Sequence, residues 1–257
     1  MLMKLMSMLA LPVLLYAGLC ALMYFTQRGM VYFPQFTQVP ASETDFALAR
    51  DDVVLRGWSA NPGRRDVVLY FGGNAESVQG MRGDLADWFP GHSSYLLAYR
   101  GYGASDGRPQ EDLLLADALA LFDHVRARHP EGDIGVIGRS LGSGVASYVA
   151  AQRDVHRLVL ITPFDSLVGV GQIHYPWLPV RWLATERYES DRHLADYQGP
   201  VLILRAGRDA VVPAASTDRL IAGLPRPPQV VDSPGATHDS VLSDPDEGLE
   251  IVAFVTQ

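Results

Sequence analysis

The chain has 257 residues, of which 48% are hydrophobic and 19% are charged, and this globular composition excludes a disordered chain. The formal net charge of −8 argues against a protein that binds nucleic acid through a basic face. The single cysteine, Cys20, rules out an intrachain disulfide, and the cysteine and histidine content leaves out a zinc finger or thiolate cluster. The length predicts one large domain or at most two small ones.

The first element is an uncharged run over residues 5–25. At about 1.5 Å per helical residue, it is long enough to cross a hydrocarbon core of about 30 Å. The apolar region of a cleaved signal peptide is shorter, about 7–15 residues, so we predict an uncleaved transmembrane helix and a membrane anchor over residues 1–27. Lys4 precedes the run and Arg28 follows it. The positive-inside rule favours a cytoplasmic N-terminus, with the rest of the chain on the exported, periplasmic or extracytoplasmic side.

Strands and helices alternate through the rest of the chain, which we predict to be one domain over residues 28–257. The predicted strands are residues 46–50, 53–59, 66–71, 94–99, 134–137, 158–161, 201–204 and 229–232. The predicted helices are residues 76–89, 110–129, 141–152 and 247–255. Strands written as continuous apolar runs between helices predict an α/β fold, with a mostly parallel central sheet flanked by helices. Such sheets carry their chemistry at the carboxyl ends of the strands.

The alternation breaks between Thr162 and Pro200. This stretch is too long and too aromatic for a plain connection, since it holds Phe164, Tyr175, Trp177, Trp182 and Tyr188. Two interpretations stay open: a cap over an apolar pocket, covering about residues 163–198, and a packed crossover helix.

The main chemical signal is the G-x-S-x-G motif of Gly138-Arg139-Ser140-Leu141-Gly142. It lies between a predicted strand and a predicted helix, which is the context that a nucleophile elbow requires. The sharp turn lifts the Ser140 hydroxyl out of the sheet at a helix N-terminus, where positive partial charge accumulates. The alternative is a plain strand–helix turn.

A serine nucleophile needs a base, and the base needs an orienting carboxylate. In this architecture the order along the chain is serine, acid, histidine. Asp209 follows the predicted strand 201–204, and His238 follows the predicted strand 229–232. An isolated aspartate after a strand is more often a turn former, and an isolated histidine is more often structural. Because all three residues come in this order at strand ends, we predict Ser140, Asp209 and His238 as a catalytic triad.

An oxyanion hole needs two preorganised N–H donors. One is the amide of Leu141, which follows the serine, and the other is expected in the loop Gly72-Gly73-Asn74-Ala75-Glu76. Its glycines let the backbone approach a substrate closely. We predict the Asn74 amide as the second donor, with the Gly73 amide as the fallback.

No metal or organic cofactor is expected. The histidines at positions 124, 129, 156, 174 and 193 are scattered without metal-ligand spacing, and we interpret them as surface or capping residues. Gly101-Tyr102-Gly103 lacks the third glycine of a dinucleotide-binding fingerprint. The loop that carries these glycines and Asp106 is expected to be structural.

Several of these segments together resemble one superfamily. They are residues 28–34, 68–75 and 99–107, the Ser140 elbow, Tyr175-Pro176, residues 178–180, and the Asp209 and His238 loops. From Arg28 onward the sequence resembles the α/β-hydrolase superfamily and, within it, the Bem46-like, ABHD13-type serine hydrolases. The resemblance implies an α/β-hydrolase fold with a short cap, a membrane anchor, and Ser140, Asp209 and His238 as the triad. Relatives usually have His-Gly-Asn where this chain has Gly72-Gly73-Asn74, a difference that bears on the rigidity of the loop.

The predicted function is a serine hydrolase that cleaves carboxylic esters or thioesters, with hydrophobic acyl groups or lipids as substrates, through an acyl-enzyme. The expected partners are a small-molecule or lipid acyl substrate and a membrane, with no nucleic acid. The alternatives are an aminopeptidase-like serine peptidase on the same triad, an acyltransferase, and a non-catalytic binding protein on a hydrolase fold. A dehalogenase would need an aspartate where Ser140 stands.

Overall fold

The computed structural model describes residues 2–50 and 53–257, with residues 2–10 described by their backbone alone. The strands in this part of the chain are β1 (Phe46–Arg50), β2 (Val53–Ala60), β3 (Asp66–Phe71), β4 (His92–Leu97), β5 (Ile134–Arg139), β6 (Arg157–Ile161), β7 (Val201–Ala206) and β8 (Gln229–Ser233). They form a sheet in the order β1-β2-β4-β3-β5-β6-β7-β8.

Most of the sheet is parallel. Strands β4, β3, β5, β6, β7 and β8 pair in parallel, whereas β2 pairs antiparallel with both β1 and β4 at one edge. The central strands β3, β5, β6 and β7 are buried along most of their length, because their sequences are apolar runs rather than alternating patterns. The loops that follow β3, β5, β7 and β8 therefore come together at the carboxyl edge of a rigid, buried sheet.

Helices cover the sheet and extend from it. They are α1 (Leu2–Thr26), α2 (Arg28–Val31), α3 (Arg82–Trp88), α4 (Glu111–Arg128), α5 (Leu141–Gln152), α6 (Leu167–His174), α7 (Val180–Leu183), α8 (Ser190–His193), α9 (Ala214–Gly223) and α10 (Pro245–Val255). Helix α5 packs on β5 and on α4, while α10 packs on β6 and β7. The short helices α6, α7 and α8 lie in the segment 163–198, between β6 and β7.

The predicted α/β fold with a mostly parallel sheet is confirmed. Each predicted strand is present, with ends that move by at most two residues. The predicted helix 76–89 is wrong over its first half, since α3 begins only at Arg82, after a 3₁₀ turn. Gly80 lowers the helix propensity there, and the Glu76 side chain is hydrogen-bonded to the preceding loop. Helix α9 was not predicted, because its buried residues include Ser216 and Thr217 and give little apolar periodicity.

The predicted membrane-spanning helix is not found. Among the residues that the structure describes, no helix combines the length and the apolar character that crossing a membrane requires. Helix α1 contains Pro12, and residues 5–10 of the predicted span belong to the part described by its backbone alone.

Candidate active site

The Ser140 elbow has the backbone that its motif predicts. Ser140 lies between β5 and α5 with φ +51° and ψ −119°, a strained conformation for a residue other than glycine. A Cβ on Gly142 would lie 2.0 Å from the Phe71 carbonyl oxygen, and one on Gly138 would lie 2.3 Å from the Gly142 carbonyl oxygen. Both glycines are therefore required by close packing, and the elbow cannot relax without moving β3 or α5.

The structure brings the three predicted triad residues together. His238 Nε2 lies 2.8 Å from Ser140 Oγ, and His238 Nδ1 lies 2.7 Å from Asp209 Oδ2. Ser140 and His238 are each only 8% exposed. The Asp209 carboxylate is also anchored through Oδ1, which accepts the amides of Val211 and Val212 at 2.8 Å. We assign the proton to Nδ1, because a carboxylate accepts there and Nε2 is then free to accept from the serine hydroxyl.

The loops that carry the acid and the histidine are joined to each other. Arg208 N–H donates to the Ala236 carbonyl at 2.9 Å, and Gly207 N–H donates to the Ser233 carbonyl at 2.9 Å. Gly207 passes so close to the β8 loop that a Cβ would lie 2.6 Å from the Pro234 carbonyl oxygen. These backbone contacts hold Asp209 next to His238 independently of the hydrogen bond between their side chains.

The predicted oxyanion donors, the amides of Leu141 and Asn74, differ from the fallback, the Gly73 amide, in their hydrogen bonding. Leu141 is the first residue of α5, where amide groups have no acceptor inside the helix, and it lines the same pocket as Ser140 and Asn74. The Gly73 amide donates to Glu76 Oε2 at 2.8 Å, inside the loop. The amides of Leu141 and Asn74 therefore stay the first candidates, and Gly73 stays the fallback.

Glu76 is a site residue that the sequence prediction missed. Its Oε1 accepts from Tyr70 Oη at 2.6 Å, its Oε2 accepts from Gly73, and Arg139 Nη1 lies 3.4 Å away. Burial raises the pKa of Tyr70 well above its ordinary value, so its hydroxyl remains a donor to Glu76. The available signal was the position of Glu76, three residues after Gly73. The sequence pattern predicts Glu76 as the first residue of a helix. Glu76 stabilises the loop of residues 72–76 through these hydrogen bonds.

The Asn74 carbonyl is held by two hydrogen-bond donors from other segments of the chain. Tyr102 Oη donates to the Asn74 carbonyl at 2.7 Å, and Phe33 N–H donates to the same oxygen at 3.1 Å. Burial raises the pKa of Tyr102, which keeps this phenol protonated and able to donate. The Asn74 carbonyl belongs to the peptide that follows the Asn74 amide, so holding this carbonyl restrains the Asn74 backbone on the far side of the candidate oxyanion donor.

A pocket of about 450 Å³ opens above Ser140. Its walls come from α1 and α2, from the segment 163–198 and from the Asp209 loop. The apolar lining residues include Met23, Met30, Val31, Phe164, Leu167, Val170, Leu178, Leu183 and Val211. The segment 163–198 thus lies over the Ser140 hydroxyl, as a cap would, and its aromatic and aliphatic side chains make the pocket apolar.

The other candidates have structural contacts. Among the residues that the structure describes, no group of three or more His, Cys, Asp or Glu side chains is arranged to hold a metal ion. Asp106 accepts the Val54 amide at 2.9 Å, and Arg100 forms a buried ion pair with Asp117, with Nε 2.6 Å from Oδ2. These contacts tie the loop after β4 to β2 and α4.

Comparisons with known proteins agree with this fold. The family described as "Serine aminopeptidase, S33" matches residues 62–184. An uncharacterised protein of Mycobacterium tuberculosis is 37% identical over 244 residues, which cover 90% of this chain and 86% of its own. The Pyrococcus furiosus esterase Pf2001 has the same fold, with a TM-score of 0.68 at 18% identity over 82% of this chain and 91% of its own. The chain belongs to the α/β-hydrolase superfamily.

A further relative has a named activity of its own. Lysophosphatidylserine lipase ABHD12 of Rattus norvegicus is 30% identical over 168 residues, which cover 57% of this chain and 42% of the lipase. Together these likenesses support a hydrolase.

Proposed function

We propose that the protein is a serine hydrolase that cleaves carboxylic esters or thioesters with hydrophobic acyl groups. The observation that carries the proposal is the Ser140 hydroxyl, which lines an apolar pocket and is hydrogen-bonded to a histidine that Asp209 orients. Nucleophile, base and orienting acid within hydrogen-bond reach are the arrangement that covalent acyl transfer needs.

The proposed reaction has two halves. His238 Nε2 takes the Ser140 proton as Oγ attacks the acyl carbon; the bond from carbon to the leaving oxygen or sulfur then breaks, and His238 delivers the proton to the leaving group. Water, deprotonated by His238, next attacks the acyl-enzyme and releases the carboxylic acid and the free serine. The amides of Leu141 and Asn74 stabilise the oxyanion of both tetrahedral intermediates. Asp209 orients the imidazole and stabilises its protonated form.

The substrate class follows from the pocket. Its volume of about 450 Å³ lies within the usual range for small-molecule sites, about 300–1,000 Å³. Its walls are largely aliphatic and aromatic, and burying a charged acyl group there would be unfavourable. The lysophosphatidylserine lipase and the esterase among the similar proteins favour an acyl ester over other substrates. A finer assignment to the Bem46-like, ABHD13-type hydrolases is part of this proposal and rests on the motifs quoted above.

A peptidase is the second candidate, favoured by the family description. An aminopeptidase needs a pocket carboxylate to receive the substrate ammonium group. The pocket carboxylate is Glu186, and it already accepts hydrogen bonds from Arg28 Nε at 2.8 Å, Tyr32 Oη at 2.5 Å and Glu111 N at 2.7 Å. Because these partners already satisfy Glu186, the geometry favours the esterase.

We propose that the surface around the pocket opening binds to a lipid surface. Phe25, at 81% exposure, and Trp182, at 80%, stand out from the helices that line the pocket, and Trp177 is also exposed. Tyr16 Oη donates to the Trp177 carbonyl at 2.8 Å, so the apolar side chains of α1 continue the same surface. Tryptophan and tyrosine favour the interface between lipid and water. The location on the exported side, inferred from Lys4 and Arg28, stays a prediction.

The test is labelling by a fluorophosphonate probe, followed by a panel of p-nitrophenyl esters, acyl thioesters and aminoacyl anilides. We expect labelling of the wild type, none of Ser140→Ala, and hydrolysis of esters and thioesters rather than anilides. Ser42→Ala, which alters an exposed serine in another part of the chain, is the matched control.

Two outcomes would contradict the proposal. Labelling that persists in Ser140→Ala would show that another nucleophile reacts. Labelling at Ser140 with turnover of anilides alone would establish the peptidase.

A further inference from the structure

The pocket has a wall that does not belong to the sheet or to the cap. Met23, Gln27, Met30 and Val31 line it together with Ser140. They belong to residues 23–33, which we name the N-terminal strap. An acyl group attached to Ser140 therefore packs partly against a segment that lies more than 100 residues before the nucleophile in sequence.

The strap is fastened to the cap by the side chain of Gln27. Gln27 Nε2 donates to the Leu183 carbonyl at 3.0 Å, and Gln27 Oε1 accepts the Thr185 amide at 2.8 Å. Both ends of one amide group are thus used on the same stretch of cap backbone. The contact fixes the position of the strap relative to the cap at the wall of the pocket.

The end of the strap reaches the loop of residues 72–76, which we name the oxyanion loop. Phe33 N–H donates to the Asn74 carbonyl at 3.1 Å and also points to Tyr102 Oη at 3.0 Å. Tyr102 Oη in turn donates to the Asn74 carbonyl at 2.7 Å. Phe33 is two residues beyond Val31, so one short segment contacts both the acyl pocket and the carbonyl of Asn74, the residue whose amide is the candidate oxyanion donor.

We propose that the strap couples acyl-chain binding to the oxyanion hole, so that it is a specificity-determining and positioning element of this site. An acyl chain long enough to pack on Met30 and Val31 holds the strap in place, and the strap then restrains the Asn74 backbone through its carbonyl. Binding energy from the remote end of the substrate would thus appear in kcat and not only in KM. This inference rests on the proposed hydrolase function, and it deepens that function by naming what selects the chain length.

The kinetic test compares p-nitrophenyl acetate, butyrate, hexanoate and octanoate with the full-length protein. We expect the wild-type kcat to rise about tenfold from acetate to octanoate, because the longer chain reaches the strap. Gln27→Ala should flatten this rise, so that kcat for octanoate falls more than kcat for acetate. Gln38→Ala is the matched control, because Gln38 makes two side-chain hydrogen bonds, to the Pro34 and Gly101 carbonyls, outside the pocket. It should keep the wild-type profile.

Three kinetic outcomes would overturn the coupling. One is a wild-type kcat that stays constant while only KM falls with chain length. Another is a Gln27→Ala variant that keeps the rise. The third is an equal loss at every chain length, which would show a general structural defect.

A second readout does not depend on turnover. In Ser140→Ala, saturation with octanoate should slow amide hydrogen exchange in the peptide of residues 70–76 as well as in the strap. Adding Gln27→Ala should remove the effect on residues 70–76. Protection of the strap without protection of residues 70–76 would refute the coupling. If the wild type is neither labelled nor active on esters, the hydrolase proposal fails, while this exchange measurement still decides whether strap and loop are linked.

Discussion

Two regions of the site are held together in different ways. One is the edge of the sheet, where Ser140, Asp209 and His238 lie at strand ends. The other is the apolar wall of the pocket. The edge rests on β5, β7 and β8, with loops fixed to one another by backbone hydrogen bonds and by close packing at glycines. The wall combines the strap and the cap, which are joined by side-chain contacts such as those of Gln27. The sheet thus positions the side chains proposed to react. The contacts proposed to select the acyl group can change without disturbing the sheet. Four substitutions sharpen this comparison.

The largest effect is expected at the edge, from Asp209→Asn. An amide in place of the carboxylate presents a donor or a weaker acceptor to His238 Nδ1, so the imidazole loses the tautomer that accepts the serine proton. We expect kcat to fall by about 10³- to 10⁴-fold with little change in KM, by analogy with triads in general. Steady-state ester hydrolysis measures the effect. Asp106→Asn, which changes a carboxylate that accepts a backbone amide of β2, should stay near wild type; a loss of less than tenfold in Asp209→Asn would speak against the triad.

A smaller effect is expected where the edge meets the oxyanion loop, from Glu76→Gln. The carboxylate accepts Tyr70 through one oxygen and Gly73 through the other. A carboxamide has one acceptor oxygen, so one of these donors is left facing an NH₂ group and the loop shifts. We expect kcat to fall by about 10- to 100-fold with KM nearly unchanged, since small displacements of a positioned donor have effects of this size. Glu131→Gln, on the exposed surface, is the control, and an equal rise in KM would indicate general unfolding of the loop instead.

On the wall, Arg28→Met should lower stability rather than chemistry. Arg28 is the cation that faces the buried Glu186 carboxylate, but its side chain is 49% exposed, so solvent screens part of the interaction. We expect the free energy of unfolding in urea to fall by about 1–2 kcal/mol, well under the value for a fully buried pair. Adding Glu186→Gln should restore part of the loss, because no buried charge then remains unpaired. A double variant that is less stable than Arg28→Met would contradict this account.

The smallest effect on catalysis is expected from Trp182→Ala. Trp182 is exposed beside the pocket and lies outside the triad and the oxyanion loop. We expect hydrolysis of soluble esters to stay within about twofold of wild type, and partitioning onto phosphatidylcholine vesicles to weaken by about threefold to tenfold as one interfacial side chain is lost. Leu249→Ala, also exposed, is the control in a vesicle co-sedimentation assay. Equal weakening in both variants would remove the argument for a surface centred on the pocket.

The sheet and the three residues at its edge could be predicted because their signals are local. A continuous apolar run predicts a buried strand, and the position after a strand predicts the edge where a side chain will lie. This reasoning places Ser140, Asp209 and His238, which the structure brings within hydrogen-bond distance. The roles of these residues remain predictions until the variants are measured.

The rest of the site depends on which acceptor each amide group bonds to and on contacts between segments that are far apart in sequence. The Glu76 side chain, three residues after Gly73, accepts the Gly73 amide, and the sequence gives no signal for this competition with a substrate oxyanion. Gln27 and Thr185 are separated by 158 residues, and no periodicity in either segment predicts that they meet. The partners of the Gln27 side chain are backbone groups of Leu183 and Thr185, which every residue carries, so the sequence gives no signal for this contact.

The hydrogen bonds between the Gly207-Arg208 turn and the loop after β8 make the acid and the histidine a preassembled pair. A displacement of one loop carries the other with it, so the distance from Asp209 to His238 is preserved while the distance to Ser140 changes. A change in the outer parts of these loops would then alter the alignment of this pair with the serine. Such a change would tune the rate without taking the acid away from the base.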